Sequence, residues 1–348
     1  MKLYIDARYL GLSGIGSFLK GVLENIDTTT FSLFLIGKKE RLDKLSVDFT
    51  PIYDESSPFS STSLLNPSFA KEVNKNADAF FTPFYIVPFS IHVPTFSCVH
   101  DVAQLDIKSL SSSFFDRSVK KFLIKRALKK SRKVFTVSSF SLSRICFYFP
   151  KYRNKLVVVP NGIKKEFYEL KGTLRIARDF NKLLYVGNLK PHKGLDILAD
   201  AFLQLPSNYK LYIAGDKSNL RVSSSSLDVL SSNDRVTFLG NLEDEEVAKE
   251  ISSSACLILP SRYEGFGMPP LEALFFNTEA IISDIPVFKE LYDGVKGVHF
   301  FKDGDAASLT NQIKDLKRID FHADEALFKK FNYSKTSSII EENIKEEL

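Results

Sequence analysis

The sequence predicts an α/β protein made of two doubly wound parallel-sheet domains. Short apolar, strand-like runs alternate with segments of helical periodicity along the whole chain, the pattern of a parallel sheet covered by helices. The series breaks once, in the charged stretch from Asn161 to Asn181, and then starts afresh. At 348 residues and 44% hydrophobic content, the chain can fill about two cores.

In order, Lys2–Asp6 reads as a strand. A glycine loop through Gly11, Gly14 and Gly16 follows, then a helix around Ser17–Ile26. Phe31–Ile36, Ala79–Thr82 and Thr95–Val99 continue the strands. Arg117–Lys130 is helical, Val134–Val137 a strand, Ser139–Phe147 a helix, and Leu156–Pro160 closes the first half. The second series runs through the strand Lys182–Val186, the helix Leu195–Leu203 and the strands Lys210–Ala214 and Val236–Leu239. It continues with the helix Glu243–Ser252 and the strands Ala255–Leu259 and Ala280–Ser283. The expected domains are 1–165 and 166–332, with the linker in Asn161–Asn181. A terminal helix is expected over 333–348, capped by Ser334, with Ile339, Ile340 and Ile344 at helical spacing. Ligands of doubly wound sheets bind at the carboxyl ends of strands, so a cleft between the two domains is the expected site.

Composition narrows the class. No apolar run approaches the roughly 18 residues that span a bilayer, and MKLYIDARYL is not a signal peptide. Cys98, Cys146 and Cys256 are odd in number and far apart, which suits reduced core thiols of a cytoplasmic protein rather than a disulfide frame. The net charge of +5 hides an asymmetry: residues 1–170 carry 25 Lys+Arg against 15 Asp+Glu, and the remainder 22 against 27. The two halves are thus expected to meet different partners. The serines at Ser223–Ser226 and Ser231-Ser232 read as a loop.

Ser261 to Leu274, SRYEGFGMPPLEAL, is the stretch richest in chemistry. It follows a strand, holds Glu264 and Glu272 eight positions apart, and places Gly265, Phe266, Gly267 and Met268 before a helix opened by Pro269-Pro270. Such a strand, glycine turn and helix start can cradle an anionic or hydroxyl-rich ligand. Some 70 residues earlier, Gly187-Asn188-Leu189-Lys190-Pro191-His192-Lys193-Gly194 offers a lysine as a point charge for phosphate. His100-Asp101 ends the strand Thr95–Val99, where a histidine can donate a hydrogen bond into a cleft. Gly11-Leu12-Ser13-Gly14-Ile15-Gly16 fails the dinucleotide fingerprint because Leu19 stands where the third glycine belongs. Thr136–Ser141 reads as a capped helix start, Val159–Ile163 as a turn, and Asp303-Gly304-Asp305 as a turn rather than a metal site.

These motifs, in this order and over nearly the whole chain, resemble glycosyltransferase family 4, retaining enzymes of the GT-B fold. The resemblance rests on the E-x7-E turn, the lysine loop, His100-Asp101, IDAR...GIG, TVSSFS, VPNGI and Val236–Gly240. It implies two Rossmann-like domains facing across a cleft, with the terminal helix crossing back to the first. It implies a nucleotide-diphosphate sugar donor, with Glu272 on the ribose and Lys193 on the diphosphate. Gly265, Phe266, Gly267 and Met268 would hold the sugar beside Glu264, with His100 approaching from the first domain. Gly14 and Gly16 would lie near the phosphates, and Gly240 near the base. The family's arginine falls at Asn188, so Lys190 or Arg262 is the expected second cation. Asn277-Thr278-Glu279-Ala280 stands where the family usually has G-T-P-V.

The resemblance implies no metal, no cofactor and no nucleic acid, and a glycan or lipid-linked acceptor. A nucleotide-sugar epimerase and a non-catalytic binding protein are the alternatives. Residues 117–133 hold nine basic residues, and Phe115, Val119, Phe122, Leu123 and Ala127 share a helical stripe. That stripe is expected to face the core behind a solvated basic back. Otherwise the segment docks on anionic lipid, peripherally on the inner face of the membrane.

Overall fold

The computed structural model describes residues 1–110, 113–216, 225–317, 319 and 321–348. The chain folds as two compact units, Met1–Gly162 with Phe331–Leu348, and Ile163–Lys330.

The first unit has a parallel sheet of seven strands: β1 (Lys2–Asp6), β2 (Ser32–Gly37), β3 (Thr50–Tyr53), β4 (Ala79–Thr82), β5 (Thr95–Cys98), β6 (Val134–Thr136) and β7 (Leu156–Val158). Their order is β3-β2-β1-β4-β5-β6-β7, so the winding reverses between β1 and β4. Ile5 sits opposite Leu35 on one side and Phe81 on the other. All three are buried, which is why the central strands read as unbroken apolar runs. β3 escapes that reading because it is a largely exposed edge strand that contains Pro51.

The second unit repeats the plan with six strands: β8 (Asp179–Val186), β9 (Lys210–Ala214), β10 (Val236–Gly240), β11 (Ser254–Leu259), β12 (Glu279–Ser283) and β13 (Val298–Phe301). The order β10-β9-β8-β11-β12-β13 reverses between β8 and β11. Leu184 pairs with Leu257 at that central seam.

The terminal helix, Tyr333–Glu346, belongs to the first unit. Its cap is Asn332, not Ser334: the Asn332 side chain accepts from Lys335 N at 2.8 Å. Tyr333, Ile340 and Ile344 enter the core against the helix Ser13–Leu23. Ser337 Oγ donates to Val22 O at 3.0 Å, and Asp27 N donates to Glu341 Oε1 at 2.8 Å. Gly162 is the close-approach residue of this joint. A Cβ there would lie 2.4 Å from Tyr333 N.

Four other expectations are corrected. The stretch Asn161–Asn181 is no bare linker: it carries the helix Lys165–Thr173 and the start of β8. Phe167 anchors that helix, buried edge-on against Phe276 at 5.1 Å. The helix after β1 begins at Ser13, so Gly14 and Gly16 lie in its first turn rather than in a loop. Ser223 and Ser224 lie outside the described residues, but Ser231 and Ser232 close the helix Ser225–Ser232, anchored by buried Leu230.

The fourth concerns the basic helix, Phe114–Lys130. Its buried face is Ile124, Ala127 and Leu128. Of the stripe expected in the core, Phe115 is 77% and Phe122 55% exposed, and Val119 is exposed as well. Arg117 and Lys120 take part of the inward side by donating to the carbonyls of Leu105 and Leu110. No described helix is long and apolar enough to cross a membrane.

Candidate active site

In the second unit two turns leave the carboxyl ends of neighbouring strands at the reversal point, where doubly wound sheets bind ligands. One follows β8, the other β11. Lys193 comes from the first and Glu264 from the second. Lys193 Nζ lies 2.6 Å from Glu264 Oε1, and that oxygen also accepts from Ser261 Oγ at 2.8 Å. Glu264 is buried and Lys193 half-buried. The pair is charge-assisted at short range, and it holds the ammonium at the mouth of the turn.

The backbone explains why glycines flank it. Gly194 sits at φ +69°, and a Cβ there would lie 1.9 Å from Pro260 O, so the two turns are in backbone contact. Gly267 has φ +83°, and its Cβ would meet Phe288 at 2.5 Å. Met268–Phe275 follows as a helix with proline in its first turn, and it presents Glu272 from inside. Phe266 is buried beneath the turn, and Tyr292 OH donates to Gly267 O at 3.1 Å. Burial, then the nearby Glu272 and Glu264, pushes the Tyr292 hydroxyl far above its usual range, so it stays neutral between the two carboxylates.

Arg262, one of the two expected second cations, is paired within the protein. It forms a bidentate pair with Asp196 at 2.8 and 2.7 Å, and its amide donates to His192 O at 2.8 Å. It therefore braces the lysine loop against the E-x7-E turn. Lys190 is exposed, as is Asn188, whose carbonyl accepts from Tyr185 OH at 2.9 Å. Gly240 closes β10 at φ +73°, and its side-chain direction opens on free space.

Residues 277–280 keep the turn by other means. Asn277 takes the left-handed conformation, φ +58°, which asparagine tolerates better than most residues. Its side chain accepts from Ala323 N at 3.2 Å, and Arg178 donates to its carbonyl at 2.8 Å. Thr278 Oγ1 donates to Ile251 O at 2.9 Å, and Glu279 faces His299 at 3.0 Å.

In the first unit, His100 stands half-buried after β5. Its ring meets Phe18 edge-on at 4.9 Å, and Nε2 lies 2.8 Å from Pro83 O. A carbonyl only accepts, so Nε2 carries the proton and Nδ1 is left as an acceptor. His100 is thus arranged to receive a hydrogen bond rather than to give one. Gly14 is exposed with open space at its Cβ position. Gly16 is buried, and its Cβ would lie 2.6 Å from Tyr9 O, so that glycine is required by packing. Ser138 caps its helix through Ser141 N at 3.0 Å, and Asp305 caps the helix Ala306–Asp315 through Ser308 N at 2.9 Å.

Residues 167–330, nearly the whole second unit, match the family model described as glycosyl transferases group 1. The chain is 29% identical over 222 residues to the O-antigen chain mannosyltransferase RfbU of Salmonella typhimurium, covering 64% of this chain and 60% of that protein. The second unit carries the sequence pattern of the group 1 glycosyltransferases. It is also similar to the lipopolysaccharide 1,2-N-acetylglucosaminetransferase of the same organism, at 27% identity over 54% of this chain and 56% of that one. The chain spans about half the length of the curated relatives it matches. Among solved structures it is similar to Anabaena Alr3699/HepE in complex with UDP and glucose. The TM-score there is 0.76 at 19% identity, over 99% of this chain and 100% of that one. That likeness concerns the fold, which is GT-B.

The second unit also holds a cluster that sequence reading missed. Lys164 Nζ donates to Asp244 Oδ1 beside Glu272. Burial holds the Glu272 carboxyl above its ordinary range, Asp244 adds to that, and Lys164 opposes it. The one available signal was a lysine in the VPNGIK turn, and nothing in the spacing ties position 164 to position 272.

Two histidines make stability pH-dependent. Burial lowers both His100 and His192 from 6.5 to about 4, and Lys193 adds to the effect on His192. Their folded pKa values are depressed, so the unfolded chain binds more protons between pH 6.5 and 4. Their contribution is complete above pH 6.5 and is lost as the pH falls through 4. At pH 5 the expected loss is about 1 kcal/mol for each, after screening of these part-exposed rings. Urea midpoints at pH 7 and pH 5 measure it, and His100→Gln should remove half of the difference.

Proposed function

We propose that this protein is a retaining glycosyltransferase. It moves a hexose-type sugar from a nucleotide-diphosphate sugar to a glycan or lipid-linked acceptor, in cell-surface polysaccharide or glycoconjugate synthesis. The observation that carries the reading is the Lys193–Glu264 pair at 2.6 Å, on two turns joined at the strand-order reversal. The relatives named as transferases of mannose and N-acetylglucosamine support it, as does a structural neighbour solved with UDP and glucose.

Lys193 lies where a departing diphosphate needs positive charge, and Glu264 holds its ammonium in place until the donor arrives. Glu272 accepts hydrogen bonds from the ribose diol, kept available as a carboxylate by Lys164. The backbone of Gly265, Phe266, Gly267 and Met268 meets the sugar hydroxyls. Gly240 and Asn188 border the nucleotide, and Gly14 and Gly16 lie on the phosphate side of the first unit. His100 Nδ1 accepts a sugar hydroxyl. Charge develops on the leaving phosphate and on an oxocarbenium-like sugar, so positioning and electrostatics supply most of the acceleration. Attack on the face that the leaving phosphate vacates retains the anomeric configuration. No metal or cofactor enters this scheme. The protein works in the cytoplasm, with the basic helix meeting an anionic membrane surface.

A thermal-shift screen of UDP-, GDP- and dTDP-sugars tests the donor, because a ligand bound only by the native state raises the melting temperature. NMR of the product anomer tests retention, and an inverted product would overturn it. Glu272→Gln should raise the donor KM roughly ten- to hundredfold with a smaller change in kcat, the cost of losing hydrogen bonds to a charged group.

A further inference from the structure

His192 stands in the lysine loop of the second unit, and the donor scheme gives it no task. Its backbone is fixed from two sides. Lys193 N donates to Lys190 O at 2.9 Å, which closes the short turn Pro191–Lys193, and His192 O accepts from Arg262 N at 2.8 Å. The ring is therefore carried at a set place beside Lys193, past the carboxyl end of β8. It is half-buried. Nδ1 is covered from solvent and has no hydrogen-bond partner among the described residues. An imidazolium in the empty loop would gain no hydrogen bond on that side.

The charges around the ring nearly cancel. Lys190 and Lys193 lie on its own loop, and Glu264 comes from the turn after β11. The Lys193–Glu264 pair at 2.6 Å is neutral as a whole. So is the adjoining Arg262–Asp196 pair at 2.7 Å. Against that balance a sugar nucleotide brings a negative charge on each of its two phosphates. Burial and then Lys193 lower the free ring to about 4, Glu264 opposes them, and Lys190 adds to the fall. The ring is thus an uncharged base at neutral pH, placed beside the ammonium proposed to meet the diphosphate.

We infer that His192 is a binding residue for the donor diphosphate, charged only while the donor is present. It takes one proton from solvent as the sugar nucleotide binds, and then donates a charge-assisted hydrogen bond to a phosphate oxygen. An anion in contact favours the charged form. Return of the ring to its ordinary 6.5 already gives the effect a size. At pH 6 such a ring is about three-quarters protonated in the complex and almost uncharged in the free protein. The complex holds more protons than the free protein, so affinity rises roughly fourfold as the pH falls from 8 to 6. The inference rests on the donor reading above and adds to it a residue and a proton.

Isothermal titration calorimetry of the full chain with UDP-glucose and GDP-mannose tests it, at pH 6 in buffers of different ionisation heat. Both phosphates of a sugar nucleotide are esterified, so the ligand itself does not titrate there. The wild type should take up about three-quarters of a proton more than His192→Gln or His192→Asn. Only the wild type should gain about fourfold in affinity between pH 8 and pH 6. Glu272, whose carboxyl also lies above its ordinary range, titrates alike in all three proteins, so the difference belongs to position 192. Nitrogen NMR gives a second reading. The ring signal missing from the variants should pass from the neutral to the cationic pattern when ligand is added to the wild type at pH 6. Equal proton uptake in the wild type and both variants overturns the inference, assigns the proton to another group such as Glu264, and leaves the donor reading standing. A ring that stays neutral in the complex does the same. Failure of every sugar nucleotide to bind would sink the donor reading, and this inference with it.

Discussion

Lys193→Ala should lower the rate of the proposed sugar transfer by roughly 10²–10³, the usual effect of removing one charge aimed at a leaving group. Donor KM should change much less, because the ribose and sugar contacts proposed for Glu272 and the glycine turn remain. The pairing at 2.6 Å gives the substitution a second consequence. Glu264, buried and left with Ser261 Oγ as its remaining described partner, becomes a carboxylate without its countercharge. Lys193→Met keeps the aliphatic stem and separates packing from charge: its transfer rate should match that of the alanine variant. Steady-state kinetics, with a urea midpoint for each variant, decide the matter. Transfer at the wild-type rate in both would remove Lys193 from the diphosphate site.

Gly194→Ala destabilises the second unit by roughly 3–5 kcal/mol, in the rare upper range for single substitutions. Two costs combine. At φ +69° a β-carbon is disfavoured by about 1–2 kcal/mol. The same carbon would also lie 1.9 Å from Pro260 O. That carbonyl follows β11, a central strand paired on both sides, so it cannot retreat without disturbing the sheet. Gly240→Ala is the control: its φ is +73°, but nothing lies within 4 Å of the added carbon, so only the first cost applies. Denaturation of both variants followed by circular dichroism tests the difference. Equal losses would show that the contact between the two turns yields easily.

The strands were readable because both sheets are parallel and covered on both faces, which writes apolar runs such as Leu3–Ile5 and Cys256–Leu259 into the sequence. The glutamate turn was readable because its glycines, prolines and carboxylates are contiguous. Legibility failed where partners are distant in sequence or where exposure decides the outcome. β3 lies on an edge and carries no apolar run. Asn332, rather than Ser334, caps the terminal helix, and both residue types cap well, so only the backbone distinguishes them. The 115–127 stripe has the spacing of a buried face, yet only Ala127 and, in part, Leu123 reach the core, while Phe115, Val119 and Phe122 point outward and Ile124 and Leu128 take their place inside. Apolar spacing defines a stripe but not the direction in which it points.

The sequence alone determined two doubly wound parallel domains, the succession of most of their strands along the chain and the identity of the lysine loop and the E-x7-E turn. Each is a local property: periodicity, turn chemistry or contiguous spacing. The tertiary structure decided which charges meet. It paired Lys193 with Glu264 across 71 positions, gave Arg262 to Asp196, and set Lys164 beside Glu272. It also protonated His100 on Nε2 and left Arg126 Nη1 without an acceptor among the described residues. Charge pairing falls off over a few ångströms, and separation along the chain does not report separation in space.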